Sequence, residues 1–315
     1  MIVAKTQRRI GNGRVLAAGC MAGRPAMVAG DHDGTIRSWD LCTGQPLFPP
    51  VGAHDGPVLA VALAAHHGRI VAVTGGSDGA VRAWDVPSGV PLDAPLTGPD
   101  GPVIAVAAGD LDGRLAVLAG DQEGRVWAWD LETGGALRPE TCCHQGWVNG
   151  VALGRVGSRS FAVSGGEDGT IVVDDLDDRR RRRRKLRGHA GWVNALAVGD
   201  VEGRPGVVSG GEDGTLRSWD LASGRPLTEP IAASHGWIGA VSLGRLSGRT
   251  VAATGGEDGR LRVWDLESGA LHCESPTAYQ GLIYSIGLVN TAPYAVAAYG
   301  GSDGTIWTLP IPPPD

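Results

Sequence analysis

The chain has 315 residues, a formal charge of −6, 51 glycines, and only two phenylalanines and four tyrosines. Glycine at this frequency is poorly tolerated in helices and calls for many turns, while a hydrophobic fraction of 42% can build a core and argues against a disordered chain. No apolar run approaches the roughly 18 residues of a membrane helix, and the opening MIVAKTQRRI lacks the apolar stretch of a signal peptide.

Five cysteines (Cys20, Cys42, Cys142, Cys143 and Cys273) form neither a disulfide framework nor a zinc-type spacing, so a reducing, cytoplasmic setting is the expectation. The charge is unevenly spread. Arg179, Arg180, Arg181, Arg182, Arg183, Arg184, Lys185 and Arg187 form one basic strip, and the remainder of the chain carries −14 against the whole-chain −6.

In chain order, the first ten residues precede a pattern that then repeats to the end. Acid-Gly pairs end at Gly34, Gly79, Gly124, Gly169, Gly214, Gly259 and Gly304, each 45 residues after the last. A second glycine follows the same period at Gly11, Gly56, Gly101, Gly146, Gly191, Gly236 and Gly281. Seven units with no insertion or deletion are the mark of a repeat architecture, and each has room for four short strands with their turns.

The fifth unit shows the reading. WVNALAV (Trp192 to Val198) and GVVSGG (Gly206 to Gly211) are apolar runs suited to buried strands. The Glu212-Asp213-Gly214 turn closes a hairpin, TLRSWDL (Thr215 to Leu221) makes a third strand, and PLTEP (Pro226 to Pro230) is expected as an outer edge strand, where sheets tolerate proline. A lone four-stranded blade cannot bury both faces, so the units must stack radially. The last unit stops after its third strand (Thr305 to Leu309), and the start of the chain falls in the outer-strand phase. Ile2 to Arg8 is therefore expected to supply the outer strand of the last blade, making residues 1–315 a single seven-bladed, all-β ring.

Five units carry a Trp-Asp pair: SWD (Ser38 to Asp40), AWD (Ala83 to Asp85 and Ala128 to Asp130), SWD (Ser218 to Asp220) and VWD (Val263 to Asp265). Over its whole length the chain resembles the WD40-repeat β-propellers. The resemblance implies a non-catalytic scaffold for protein interaction, acting as a monomer without cofactor or metal. It also implies roles for recurring columns. His54, Thr74, Asp78 and Trp84 in blade 2, and His189, Ser209, Asp213 and Trp219 in blade 5, would form a hydrogen-bonded relay inside each blade. A hydrolase reading of the same Ser, His and Asp fails for want of a G-x-S-x-G elbow around Ser209 or Thr74.

In that family partner contacts concentrate on the face holding the loops before the inner strands and the turns between second and third strands. The matching columns are Trp147, Asn149 and Glu167 in blade 4; Trp192, Asn194 and Glu212 in blade 5; Trp237, Gly239 and Glu257 in blade 6; and Leu282, Tyr284 and Ser302 in blade 7. Tryptophan is enriched at binding hot spots and, beside carboxylates, suits an arginine- or lysine-bearing peptide. Other readings stand beside this one. The tryptophans can instead close the blade tops. The Arg179 to Arg187 strip reads first as a solvated charge run; the alternatives are a polyanion or nucleic acid, although no aromatic residue interleaves to stack bases, and an acidic protein partner. Near-identical units are also what recent amplification or design produces, with no native partner implied. His66-His67 is adjacent to no second ligand cluster and reads as a turn.

Overall fold

The computed structural model describes residues 8–13, 15–21, 24–92, 96, 98–111, 113–178, 183–276, 281–291 and 294–313. Each 45-residue unit folds as a four-stranded antiparallel sheet, and seven such sheets form a ring. In blade 5 the inner strand is Val193–Val201, the second Arg204–Gly211, the third Thr215–Asp220 and the outer Ile231–Ala232. The outer strand is displaced from PLTEP. Pro226 makes an isolated bridge to Trp219 and Leu227 donates its N–H to the Ser218 carbonyl, but regular pairing resumes only at Leu216 with Ile231. Pro226 and Pro230 lack N–H donors, so this stretch cannot sustain a ladder.

The ring closes through the chain start. The last blade has the order inner Ile283–Thr291, second Tyr294–Gly301, third Thr305–Ile311, and then Arg8–Asn12 as its outer strand. Gly11 faces Ile306 and Asn12 faces Thr305, with an irregularity between Arg9 and Gly11. Among the described residues the closing strand extends to Asn12; of the expected Ile2 to Arg8, only Arg8 is described and the rest lies outside the described residues.

No blade has a core of its own. Seven buried apolar clusters occur among the described residues, and each is shared by two neighbouring blades. Phe161, Val163 and Ile171 of blade 4, for example, pack with Val193, Val207 and Trp219 of blade 5. A recurrent fit brings the blades this close. Gly30, Gly75, Gly120, Gly165, Gly210 and Gly255 end or nearly end their second strands. A Cβ on any of them would stand within 3.0 Å of the first inner-strand residue of the next blade: Val58, Val103, Val148, Val193, Ile238 or Ile283. Each of these β-branched residues is buried. Glycine is needed here to admit the neighbour's branched side chain.

Gly210→Ala would bring its methyl to 2.5 Å from Ile238 Cγ2 and 2.9 Å from Val241 Cγ2. Overpacking of this kind costs about 1–3 kcal/mol. Because the nearest obstruction is Ile238 Cγ2, the penalty should shrink in an Ile238→Ala background, which removes that atom and leaves Val241 Cγ2 as the remaining close contact. A double-mutant cycle by denaturant unfolding checks this, and simple additivity would remove glycine–isoleucine contact as the explanation.

Candidate functional site

The loop before each inner strand and the turn between second and third strands meet at one end of the blade. In blade 5, Ala190 N donates to Asp213 Oδ2 and Glu212 N donates to the Trp192 carbonyl, at 2.9 and 2.8 Å. Beneath that junction lies a chain of side chains. Trp219 Nε1 donates to Ser209 Oγ (3.0 Å), Ser209 pairs with His189 Nε2 (2.8 Å), and His189 Nδ1 pairs with Asp213 Oδ1 (3.0 Å). One proton arrangement satisfies every member: the hydroxyl donates to Nε2, and a neutral imidazole donates from Nδ1 to the carboxylate. Blade 2 repeats it through Trp84, Thr74, His54 and Asp78 at 3.0, 2.8 and 2.9 Å, with Arg82 ion-paired to Asp78. Thr74 and Ser209 are wholly buried, each hydroxyl held between an indole N–H and an imidazole.

The surface columns divide into two rings. In six blades the inner strand slips register just after its first residue, and the extra residue is Leu59, Ile104, Asn149, Asn194, Gly239 or Tyr284. Such bulges re-aim a side chain, and these six residues line the mouth of the central channel. Its wall is apolar at blades 2 and 3 and carries amides at blades 4 and 5. Asn194 donates from Nδ2 to the Ile238 carbonyl at 3.2 Å, linking blade 5 to blade 6.

Around this mouth stand the tryptophans. Trp147 and Trp192 are 46% and 47% exposed, the only aromatic side chains among the large exposed apolar residues described. Trp237 behaves differently. Its blade has Gly239 at the bulge, the Trp237 ring occupies the space a side chain there would need, and it stacks on Tyr284 of blade 7 with centroids 6.1 Å apart. The glutamates do more than supply charge. Oε2 of Glu167, Glu212 and Glu257 accepts the backbone N–H of Trp147, Trp192 and Trp237 at 3.1, 3.1 and 3.3 Å. Ser302 Oγ does the same for Leu282. The column before the turn acid is therefore partly a loop clamp, which sequence alone did not disclose.

The family model described as WD domain, G-beta repeat matches residues 47–85, 180–220 and 230–265. Three of the seven units are WD40 repeats, set in a seven-bladed propeller. Among solved structures, that titled "Crystal structure of RRP9 WD40 repeats" is similar with a TM-score of 0.79 and 21% identity, covering 98% of each chain. That titled "Structure of U3-55K" has a TM-score of 0.77 and 21% identity, covering 98% of this chain and 99% of the other. No curated protein matches the sequence.

Not every blade of this propeller completes the family's relay. In blade 4, His144 pairs with Ser164 and Asp168 at 2.8 and 2.9 Å, but Asp174 stands where the indole belongs. Arg138 and Arg183 approach its carboxylate instead, at 3.7 and 3.5 Å. Blade 3 substitutes a different device that sequence reading missed: buried Asp121 accepts from Trp127 Nε1 and Arg125 Nε at 2.9 and 3.0 Å.

The basic strip forms an edge. Arg179 to Arg182 lie outside the described residues, and Arg183–Arg187 is the outer strand of blade 4. Arg183 donates to Thr141 Oγ1, Arg184 to the Leu221 carbonyl and Lys185 to the Cys143 carbonyl, at 2.7, 3.3 and 3.2 Å. Charged side chains on an outer strand also keep another sheet from adding there.

Burial holds His54, His144 and His189 below the ordinary histidine value, against the opposing pull of Asp78, Asp168 and Asp213. Burial alone would raise Asp213, but bonds from Ala190, His189 and Thr215 outweigh it and bring it to about 2. An unfolded chain therefore takes up protons first, at the histidines below about pH 6.5 and at the aspartates below about pH 4. His66, raised by its bond to Glu132, works in the opposite sense but alone against three. Denaturant midpoints should fall steadily on acidification from pH 7.5 to 5.5. Ser209→Ala should cost about 1–3 kcal/mol by orphaning buried groups, more than Ser164→Ala, which has no indole donor to leave unpaired. Equal losses at the two sites would rule out the indole bond as the difference.

Proposed function

We propose that this propeller is a non-catalytic interaction platform that binds a basic peptide or protein segment across the tops of blades 4 to 6. The observation that carries the reading is the pair Trp147 and Trp192, side by side on neighbouring blades and both about half exposed on the face that leads into the channel. Exposing two indoles to water forgoes their burial, and a flat, rigid ring held by a clamped backbone is the kind of anchor that dominates interfaces. Trp237, stacked on Tyr284, extends the aromatic surface toward blade 7.

Charge supports a cationic partner. Outside the basic strip the chain carries −14, and the tryptophans stand beside Glu167, Glu212 and Glu257. An arginine or lysine seated over an indole would gain cation–π attraction while its charge faces these carboxylates. The amides of Asn149 and Asn194 at the channel mouth would meet the partner's backbone. The basic strip is the weaker candidate because several of its side chains already donate to neighbouring oxygens.

The test is fluorescence anisotropy with labelled arginine- or lysine-bearing peptides and matched aspartate peptides. Basic peptides should bind, and the double variant Trp147→Ala/Trp192→Ala should weaken binding by about 2 kcal/mol or more, roughly thirty-fold, with an unchanged circular dichroism spectrum. Affinity that survives the double variant sinks the proposed face. Retention of polyanions with a steep salt dependence, abolished by replacing Arg183, Arg184, Lys185 and Arg187, would transfer the function to the strip.

A further inference from the structure

At the opposite end of the ring, the turn between the inner and second strands of blade 2 carries His66 and His67, with His67 in a left-handed conformation (φ 47°). Two acids of blade 3 converge on it, separated from it by 44 and 66 residues of chain. Asp110, near the end of that blade's inner strand, has Oδ2 2.9 Å from His66 Nδ1, and its other oxygen accepts the Gly113 N–H at 2.9 Å. Glu132 sits in the turn after the third strand, where its N–H is held by Asp130 Oδ1 at 3.0 Å. Its Oε1 lies 2.8 Å from His66 Nε2 and 3.6 Å from His67 Nε2.

We infer that His66, His67 and Glu132 form a divalent transition-metal site, of the kind zinc occupies, bridging blades 2 and 3. The donor set is two imidazoles and one carboxylate, all within 4.8 Å of one another, and it is the one such group among the described residues. Zinc bonds of about 2.0–2.2 Å in tetrahedral array place ligand atoms roughly 3.3 Å apart. The separations of 2.8 and 3.6 Å straddle that value, and the half-exposed ends of Glu132 and His67 can close the difference.

The arrangement around His66 is more telling than the donors themselves. A metal-bound histidine commonly gives its remaining N–H to a carboxylate, which fixes the ring and makes the free nitrogen a better donor. Asp110 is placed for that: locked by Gly113, it fixes the proton on Nδ1 and turns Nε2 toward Glu132 and His67. With three protein ligands at the surface, a fourth position stays open to water. Nitrogen donors select zinc, nickel or copper over calcium and magnesium, which prefer all-oxygen cages. Because the ligands come from two blades, a bound ion would pin them together.

Calorimetric titration of the full-length, reduced protein with Zn²⁺ at neutral pH tests the site. Wild type should bind one equivalent that is lost in His66→Ala. In Asp110→Asn, which keeps every ligand, affinity should fall about 10–100-fold. Glu132→Ala, at an exposed position that leaves the His66–Asp110 pair intact, guards against a folding defect and should weaken zinc at least tenfold; at equal zinc the melting midpoint should rise most in wild type. Zinc binding unchanged by Glu132→Ala and Asp110→Asn, equal binding of Ca²⁺, or no binding to wild type would each overturn the assignment.

Discussion

The ring rests on one steric allowance repeated around it: a glycine near the end of each second strand, into which the next blade inserts a valine or isoleucine. Because every apolar cluster spans two blades, no sheet is stable alone, and close approach between sheets is what creates the core. Six junctions use the same fit. The junction that joins the ends of the chain does not. There Gly13 lies against Ala29 and Ile306, and its N–H donates to the Gly304 carbonyl at 3.0 Å. The seam is held by backbone pairing of Arg8–Asn12 as well as by packing.

Close stacking of sheets also buries polar side chains beneath the loops that top each blade, which raises a second demand. Their polar groups must find partners away from water. The Trp–Ser/Thr–His–Asp chain meets that demand in blades 2 and 5, and blade 3 meets it with Asp121, Arg125 and Trp127. Blade 4 keeps the lower half of the chain and fills the indole's place with Asp174, Arg138 and Arg183. Since packing between neighbours carries the ring, an individual relay can be altered without loss of the fold.

The period, the number of blades and the relay were legible because they depend on residues at fixed spacing within one unit. Features set by contacts across units were not. The far end of the closing strand is one such feature: Gly11 matches the loop glycines Gly56 and Gly146 in phase, yet it pairs with Ile306 inside the strand. The glycine seats were invisible because their reason lies in the next blade. PLTEP reads as the outer strand of blade 5 because edge strands tolerate proline, yet two prolines within five residues deny the ladder donors a regular strand needs. Glu167, Glu212 and Glu257 looked like surface charge, and only geometry shows each clasping the N–H of a tryptophan twenty residues earlier. His66 and Glu132 are separated by 66 residues, so no local motif could join them.

The bulge at the start of six inner strands ties scaffold to surface. It is a backbone feature, imposed by the same register slip in six blades, but the residue it ejects faces the channel mouth and makes no demand on the core. Leucine, isoleucine, asparagine, glycine and tyrosine all occur there. The choice alters the neighbouring tryptophan. With asparagine at 149 and 194, Trp147 and Trp192 stay exposed; with glycine at 239, Trp237 folds over the gap and meets Tyr284. In these three blades the bulge residue goes with whether the indole faces solvent or its neighbour. Surface chemistry around the ring can vary blade by blade while the glycine seats beneath it stay the same.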